Sequence, residues 1–374
     1  MRHLSEVQIS REALLHNLEA LTSLLPNEAW RTAVVKGNAY GHGMKEVVQV
    51  LDDHVDFFQV DDVEELAELR TVTERTALVL GYVPLSDIER AVSLNADLAV
   101  YDTHRLAAIS DAGKKLGRRP VIHLKIDALL GRQGVLPSEL PAVLEEIKKY
   151  PDIKLRSAYS HFADIEDSTD LTHAHKQAKV FGECHAAIEQ AGWEHLPRHE
   201  SATSGLMAYE DGTRRNSLLR LGLGIYGLYP SPALEQTHAN LKLRPVMRWV
   251  THLAQVKTLP PNHPVGYGLT YVTEAETKIG IVPQGYSDGY DRGLSSNGEV
   301  LVGGQRCPVL GRVAMNMFAV DLTHVREAKA EDEVVLLGDQ ATERITAEEI
   351  AERIGTINYE ITTRVSPLLP RVVV

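Results

Sequence analysis

Cysteine is nearly absent from this chain: Cys184 and Cys307 are the only two among 374 residues, far apart and outside any Cys-x-x-Cys or Cys/His spacing. That excludes a disulfide framework and a zinc site, and no metal is expected. Positive charge is also short, with 39 Lys and Arg against 51 Asp and Glu and a formal net charge of −12. Nucleic acid and anionic membranes both demand a basic surface, so neither is expected as a partner. No stretch approaches the roughly 18 apolar residues of a membrane span, and Met1-Arg2-His3-Leu4-Ser5 opens no signal-length apolar run. A cytoplasmic protein is expected. Low-complexity segments and internal repeats are missing too. What is present, 44% hydrophobic and 24% charged residues, is an ordinary globular composition with length enough for two domains.

The first 230 or so residues alternate short β-branched runs with amphipathic stretches, the pattern of parallel strands joined by helical crossovers. Apolar runs fall at Thr32–Val35, Val55–Val60, Ala77–Gly81, Leu98–Tyr101, Val121–Ile126, Leu155–Ser160, Leu196–Ser201 and Ser217–Leu221. Helical periodicity occupies Asp62–Arg70, Thr103–Leu116, Ser138–Tyr150 and His173–Gln190. Eight strands with helices between them is the count of a (β/α)8 TIM barrel, an α/β fold. From about Leu241 the texture turns to strands at Trp249–Thr258, Lys278–Pro283, Glu299–Val302, Val309–Val320 and Glu333–Leu337. One helix, Thr346–Ile357, opens on the Thr-x-x-Glu capping pattern of Thr346 and Glu349. The expectation is a barrel domain over 1–232 and a mainly β domain over 233–374, with Tyr229–Asn240 as connector.

Barrel enzymes place their chemistry at the carboxyl ends of the strands. Unusual polar residues gather there. Lys36 follows the first strand, Lys125 ends the fifth with Arg132 beyond it, His161 follows the sixth, Ser204 the seventh, and Arg220 ends the eighth. A lysine at a buried strand end is partly desolvated and becomes a usable nucleophile or base, or else it snorkels to water. Ser201-Ala202-Thr203-Ser204-Gly205 supplies hydroxyls beside a glycine, and Arg220-Leu221-Gly222-Leu223-Gly224-Ile225-Tyr226-Gly227 supplies glycines beside an arginine. Loops of that kind after strands seven and eight suit a phosphate. Gly222, Gly224 and Gly227 also form a formal GxGxxG, but Pro230 and Pro232 follow where a dinucleotide fold needs a helix, and position 242 is Lys where an acidic residue is required.

Val34-Val35-Lys36-Gly37-Asn38-Ala39-Tyr40-Gly41-His42-Gly43 resembles the cofactor-lysine segment of the alanine racemases. Six further segments keep the same order: those around Arg132, His161, Ser204, Arg220, Val265-Gly266-Tyr267-Gly268-Leu269-Thr270-Tyr271 and Ile357-Asn358-Tyr359-Glu360 through Arg371. The resemblance implies pyridoxal 5'-phosphate held as an imine by Lys36, with Tyr40, Ser204, Gly222, Leu223 and Tyr359 at its phosphate and Arg220 facing its pyridine nitrogen. A guanidinium does not readily give up its proton, so the ring is a weaker electron sink and α-reprotonation is favoured over transamination. Lys36 and Tyr267 are then the two proton carriers on opposite faces, Tyr267 contributed by the partner of a homodimer and tuned through His161 and Arg220. Arg132 and the main chain of Met315 would meet the carboxylate of a small amino-acid substrate, Lys125 is the lysine carbamylated in many members, and Tyr286 lines the entrance. The implied activity is interconversion of L- and D-alanine, supplying D-alanine for peptidoglycan.

Three departures from the family pattern stand out. Ala128-Leu129-Leu130 replaces Thr-Gly-Met, Asn316 replaces an aspartate after Met315, and Thr203 replaces the asparagine before Ser204. Loss of the acid at 316 opens a broader or shifted racemase, for example toward serine, as an alternative. A barrel decarboxylase of the same cofactor class fits less well, because its His-x-Gly-Ser segment, glycine run and C-terminal catalytic cysteine are not found. A single-domain cofactor carrier would lack the Tyr267 domain.

Overall fold

The computed structural model describes residues 4–24, 29–166, 170–209 and 217–374. Chain contacts divide it into a unit of Leu14–Gly37 with Val48–Arg244 and a unit of Met1–Ala13, Asn38–Val47 and Pro245–Val374.

The first unit is the barrel. After β1 (Glu6–Ile9), which belongs elsewhere, come β2 (Trp30–Val34), β3 (Phe57–Val60), β4 (Ala77–Val79), β5 (Ala96–Val100), β6 (Val121–Lys125), β7 (Lys154–Tyr159), β8 (Arg198–His199) and β9 (Leu218–Leu221). They pair in parallel in the order β8-β7-β6-β5-β4-β3-β2-β9. A parallel bridge between Ala202 and Arg220 joins the two ends of that order, with the Arg220 N–H donating to Ser201 O at 3.2 Å. All eight expected strands are present. Their residues are buried along nearly the whole length, as parallel strands covered on both faces must be. The barrel is not wholly apolar: Thr32, Gln59, His123, Ser157 and His199 are buried in its strands, and Gln59 Nε2 donates to Thr32 Oγ1 at 3.0 Å. The expected helices appear as Val63–Leu69, Leu106–Leu116, Leu140–Lys148 and Thr172–Gln190. Asp62 caps the first by accepting from Glu65 N at 2.9 Å, and Gly117, at φ +63°, ends the second. The connector holds one more helix, Pro232–Thr237, which the prolines were expected to preclude. Pro232 sits in its first turn, where no amide hydrogen is needed, and Ser231 caps it.

The second unit is built on a ten-stranded sheet. Its strands are β1 with β10 (Met247–His252), β11 (Gln255–Leu259), β14 (Thr277–Val282), β15 (Glu299–Val302), β16 (Gln305–Leu310), β17 (Phe318–Asp321), β18 (Glu333–Gln340), β19 (Glu343–Ile345) and β20 (Arg371–Val373), beside a small hairpin of β12 (Pro264–Val265) and β13 (Tyr271–Val272). Two expected strands are each two. Trp249–Thr258 splits at Leu253-Ala254, because β10 pairs β1 and β18 whereas β11 pairs β14. Val309–Val320 splits around 311–317, which carries Met315. The expected helix at Thr346–Ile357 stops at Ile354, where Gly355 turns to φ +73°, and a second helix, Asn358–Arg364, follows.

The N-terminal strand corrects the expected division at 232/233. β1 lies between β10, antiparallel, and β20, parallel, so the first residues complete the sheet of the second unit, and the later boundary falls at Arg244/Pro245. Val7 and Ile9 are fully buried there. Truncating Ile9→Ala should therefore cost roughly 2–5 kcal/mol, read as a lower urea midpoint of the β-unit transition while the barrel transition stays in place.

Candidate active site

Lys36 begins a turn of left-handed helix. Gly37, Asn38, Ala39 and Tyr40 have φ of +62°, +52°, +55° and +53°, and Gly41 continues at +84°. Left-handed backbone costs an L-residue about 1–2 kcal/mol, so three consecutive non-glycine residues need compensation. On the barrel side, Gly37 N and Asp61 N donate to the two oxygens of Glu65 at 2.6 and 2.7 Å. Burial pushes that carboxyl's pKa up. In the β unit, Asn38 accepts from Gly43 N at 2.9 Å and, through its side chain, from Met44 N at 2.8 Å. Arg371 Nη2 donates to Gly41 O at 2.9 Å. A Cβ on Gly41 would stand 1.9 Å from Thr362 O, so the turn lies directly against the helix that carries Tyr359. The segments of Tyr40 and Tyr359 are thus brought together.

At the barrel's carboxyl end Lys36 Nζ meets Asp61 Oδ1 at 3.2 Å. Lys36, Lys125, Arg132 and Arg220 all act electrostatically on His161. Burial first, and these four cations after it, hold His161 well below its ordinary pKa, so the ring is neutral. Burial, then Arg132, Arg220 and Lys36, lower Lys125 to about 8. Lys125 Nζ donates to Gln133 Oε1 at 3.3 Å. Arg220 is 5% exposed and gives its terminal nitrogens to His199 Nδ1 (2.7 Å), His161 Nδ1 (3.1 Å), Ser160 O (2.9 Å), His199 O (3.1 Å) and Glu200 O (2.7 Å). Its Nε–H has no acceptor among the described residues. That donor suits an unprotonated pyridine nitrogen, and a lysine amine with a cationic rim suits an aldehyde bearing a phosphate, so the residues present fit the cofactor.

The loops after β8 and β9 are tied to each other. Thr203 Oγ1 accepts from Gly222 N at 3.3 Å and Gly224 N at 3.2 Å, and a Cβ on Gly224 would meet Thr203 and Leu21 at 2.7 Å. Threonine in the asparagine position is therefore the post that holds the glycine loop of Gly222 and Leu223. Ser204 Oγ donates to Glu166 Oε1 at 2.8 Å.

The remaining expected residues lie on three adjoining loops of the β unit. Gly285 leaves no room for a side chain, a Cβ there falling 2.2 Å from Ala314 O, and Tyr286 N donates to Ala314 O at 3.1 Å. Ser287 Oγ donates to Met315 O at 2.8 Å and accepts from Asn316 Nδ2 at 2.9 Å. Gly268, beside Tyr267, stands 3.1 Å from Arg312 Nε measured from a built Cβ. Tyr267, Met315 and Tyr286 are exposed, at 75%, 55% and 44%. Sequence reading passed over His199, whose ring bonds Arg220; an inward-facing histidine two residues before the hydroxyl loop was its only signal.

A parallel barrel with a neutral histidine, a buried arginine and a strand-end lysine at its mouth, followed by a separate β unit, defines the barrel class of pyridoxal-phosphate enzyme. The alanine racemase N-terminal domain model matches residues 9–230 and the C-terminal domain model 246–373. The chain is 34% identical to alanine racemase 2 of Caldanaerobacter subterraneus over 98% of its length and 94% of the relative's. It is 38% identical to alanine racemase of Syntrophobacter fumaroxidans, covering 96% and 94%. The crystal structure of alanine racemase from Streptomyces lavendulae superposes with a TM-score of 0.93 at 33% identity, covering 100% of this chain and 98% of that one. The chain belongs to the alanine racemase family, and its cofactor is pyridoxal 5'-phosphate.

Two consequences of this geometry are measurable. Leu129 stands at φ +65° where the family pattern has glycine, so Leu129→Gly should relieve left-handed strain and stabilise the fold by about 1 kcal/mol, seen as a raised melting temperature. Lys125 holds fewer protons folded than unfolded between about 8 and its ordinary 10.5, so its contribution to stability rises as pH climbs through that interval. In Lys125→Met the rise in urea midpoint across the interval should shrink.

Proposed function

We propose that this chain interconverts L- and D-alanine at the carboxyl end of its barrel, with Lys36 and Tyr267 as proton carriers on opposite faces of the substrate's α-carbon. The observation that carries the reading is a buried Arg220 whose Nε–H has no acceptor among the described residues, beside a neutral His161. Pyridoxal phosphate, when bound, supplies the aldehyde that takes up an amine and the ring that acidifies the α-C–H bond. Lys36 would hold that aldehyde, and its amine would move the α-proton on one face. Tyr267 moves it on the other and takes the proton from the L enantiomer. Because Arg220 only donates, His161 Nδ1 accepts and its Nε2 keeps the hydrogen, available to the Tyr267 oxygen. Arg220 would face the pyridine nitrogen as a donor that does not readily release its proton, leaving the ring a weaker electron sink and favouring return of the α-proton over transamination. Tyr40, Ser204, Gly222, Leu223 and Tyr359 would hold the phosphate, Ser204 giving up Glu166 to do so. Arg132 and the Met315 main chain receive the substrate carboxylate, and Tyr286 lines the entrance. Lys125, part of it neutral near pH 8, is suited to add carbon dioxide and hold Arg132 as a carbamate.

A homodimer with shared sites is part of the same reading. Tyr267, Leu269, Met315 and Met317 are each more than half exposed, an apolar group of a kind that marks an interface. A second copy's barrel mouth is the surface that needs a tyrosine. Among the described residues no helix is long and apolar enough to cross a membrane. We place the enzyme in the cytoplasm, making D-alanine for peptidoglycan. Asn316, bonded to Ser287, leaves the substrate carboxylate region without the usual acid, and serine and lysine belong beside alanine in the assay.

Incubation with L-alanine in deuterated water should give both enantiomers carrying α-deuterium. Tyr267→Phe should lower deuterium uptake from L-alanine at least about 100-fold. Mixing Lys36→Ala with Tyr267→Phe and allowing subunits to exchange should restore about one quarter of the wild-type sites, since each mixed dimer rebuilds one of its two. Undiminished Tyr267→Phe activity, or no recovery on mixing, refutes the shared two-base site.

A further inference from the structure

The bonds that Arg220 makes toward the barrel interior continue beyond His199. Ser157 Oγ lies 3.0 Å from His199 Nε2 and 2.5 Å from His123 Nδ1, and His123 Nε2 lies 2.9 Å from Asp97 Oδ2. Asp97 in turn pairs with Arg156. His199, Ser157 and His123 are completely buried and Asp97 is 4% exposed. The chain runs across four neighbouring strands, β8, β7, β6 and β5, from the barrel mouth inward.

Its two ends are chemically fixed, and that fixes everything between them. A guanidinium has no lone pair to offer, so His199 Nδ1 must accept. Burial and the adjacent Arg220 keep His199 neutral, so its single hydrogen is on Nε2 and is donated to Ser157 Oγ. At the far end a carboxylate paired with Arg156 accepts, so His123 presents Nε2–H to it, and a ring carrying that one hydrogen accepts on Nδ1. The Ser157 hydroxyl, already an acceptor from His199, then gives its own hydrogen to His123. Every donor points the same way, away from Arg220. Tyr159 lies flat on the His199 ring, centroids 4.8 Å apart and planes 2° from parallel, which prevents the imidazole from turning over.

We infer that His199, Ser157, His123 and Asp97 form a one-way hydrogen-bond relay that locks Arg220 as a pure donor and fixes the aim of its Nε–H, making them positioning residues for racemisation. The relay explains why polar side chains occupy a barrel interior that aliphatic residues would otherwise fill: each is satisfied only in this order, and a half-satisfied buried network costs more than an apolar one. If Ser157 were removed, His199 Nε2–H would lose its acceptor. The proton would then be free to move to Nδ1, where it opposes an Arg220 N–H and swings the guanidinium out of line.

The inference rests on Arg220 facing the pyridine nitrogen, but its test does not. In the cofactor-loaded full-length protein, and again after the cofactor is removed, nitrogen-15 spectra of the histidine side chains should show His199 and His123 each protonated on Nε2 alone. Ser157→Ala, which deletes one oxygen, should give a His199 tautomer mixture and lower kcat about tenfold, with the KM for alanine little changed. Ser157→Thr keeps the hydroxyl and should restore both. His123→Gln, whose amide offers an acceptor oxygen to Ser157 and an N–H donor to Asp97, should leave the His199 signal in place. A wild-type His199 protonated on Nδ1, a doubly protonated His123, or an unaltered His199 signal in Ser157→Ala overturns the relay. The wild-type spectrum decides even where a variant does not fold. Absence of racemisation in the wild type would refute the proposed reaction while leaving the spectrum to judge the relay.

Discussion

One buried guanidinium ties the barrel together at the carboxyl ends of its strands. Arg220 ends the last strand, its amide bonds Ser201 and its terminal nitrogens reach carbonyls of residues 160, 199 and 200. Those carbonyls lie at or one residue past the ends of β7 and β8, where the parallel ladder runs out. A lysine could not do this, because the task needs several donors in a rigid plane. Burial lowers the group's pKa to about 10 and still leaves it charged at neutral pH. The same residue therefore closes the seam and keeps one donor, Nε–H, that has no acceptor among the described residues.

The left-handed turn after Lys36 is the second constraint, and it is met from two sides. Glu65 takes the amides at its start, while Asn38 and Arg371 take the groups at its end. Arg371 also donates to carbonyls of Val365, Ser366 and Leu369, so the last residues of the chain gather around a turn near its beginning. Strain of this kind persists only where surrounding bonds over-determine it. Here it aims a lysine out of a buried strand and sets Tyr40 beside the helix of Tyr359.

Much of this was legible in the sequence, and the unread parts have physical causes. Strand count and helix positions in the barrel follow from hydrophobic period, which records burial directly. Lys36, Lys125, Arg132, His161, Ser204 and Arg220 could be placed because each follows a strand. The N-terminal strand could not, since four residues pair with segments some 240 and 360 positions away and nothing local marks the partner. The break inside Trp249–Thr258 was hidden because both halves are good strands and only their partners differ. The tautomer order of His199, Ser157 and His123 was illegible for another reason: polar residues inside strands look like exceptions until their neighbours are known. The substitutions Leu129 and Thr203 were visible as departures. Only the backbone angle of one and the two amide bonds of the other say what they do.

Charge at the barrel mouth runs against the charge of the whole. A chain of net −12 gathers Lys36, Lys125, Arg132 and Arg220 around one histidine. Burial first, and neighbouring cations after it, push His161, Lys125 and Arg220 down from their ordinary values. The histidine yields first and is neutral throughout, which makes it an acceptor for Arg220 instead of a fifth cation. Lys125 yields next, lowered to about 8 by burial and then by Arg132, Arg220 and Lys36. Arg220, most basic of the three, keeps its proton. A neutral acceptor, a lysine of lowered basicity and a charged donor thus stand together at the strand ends.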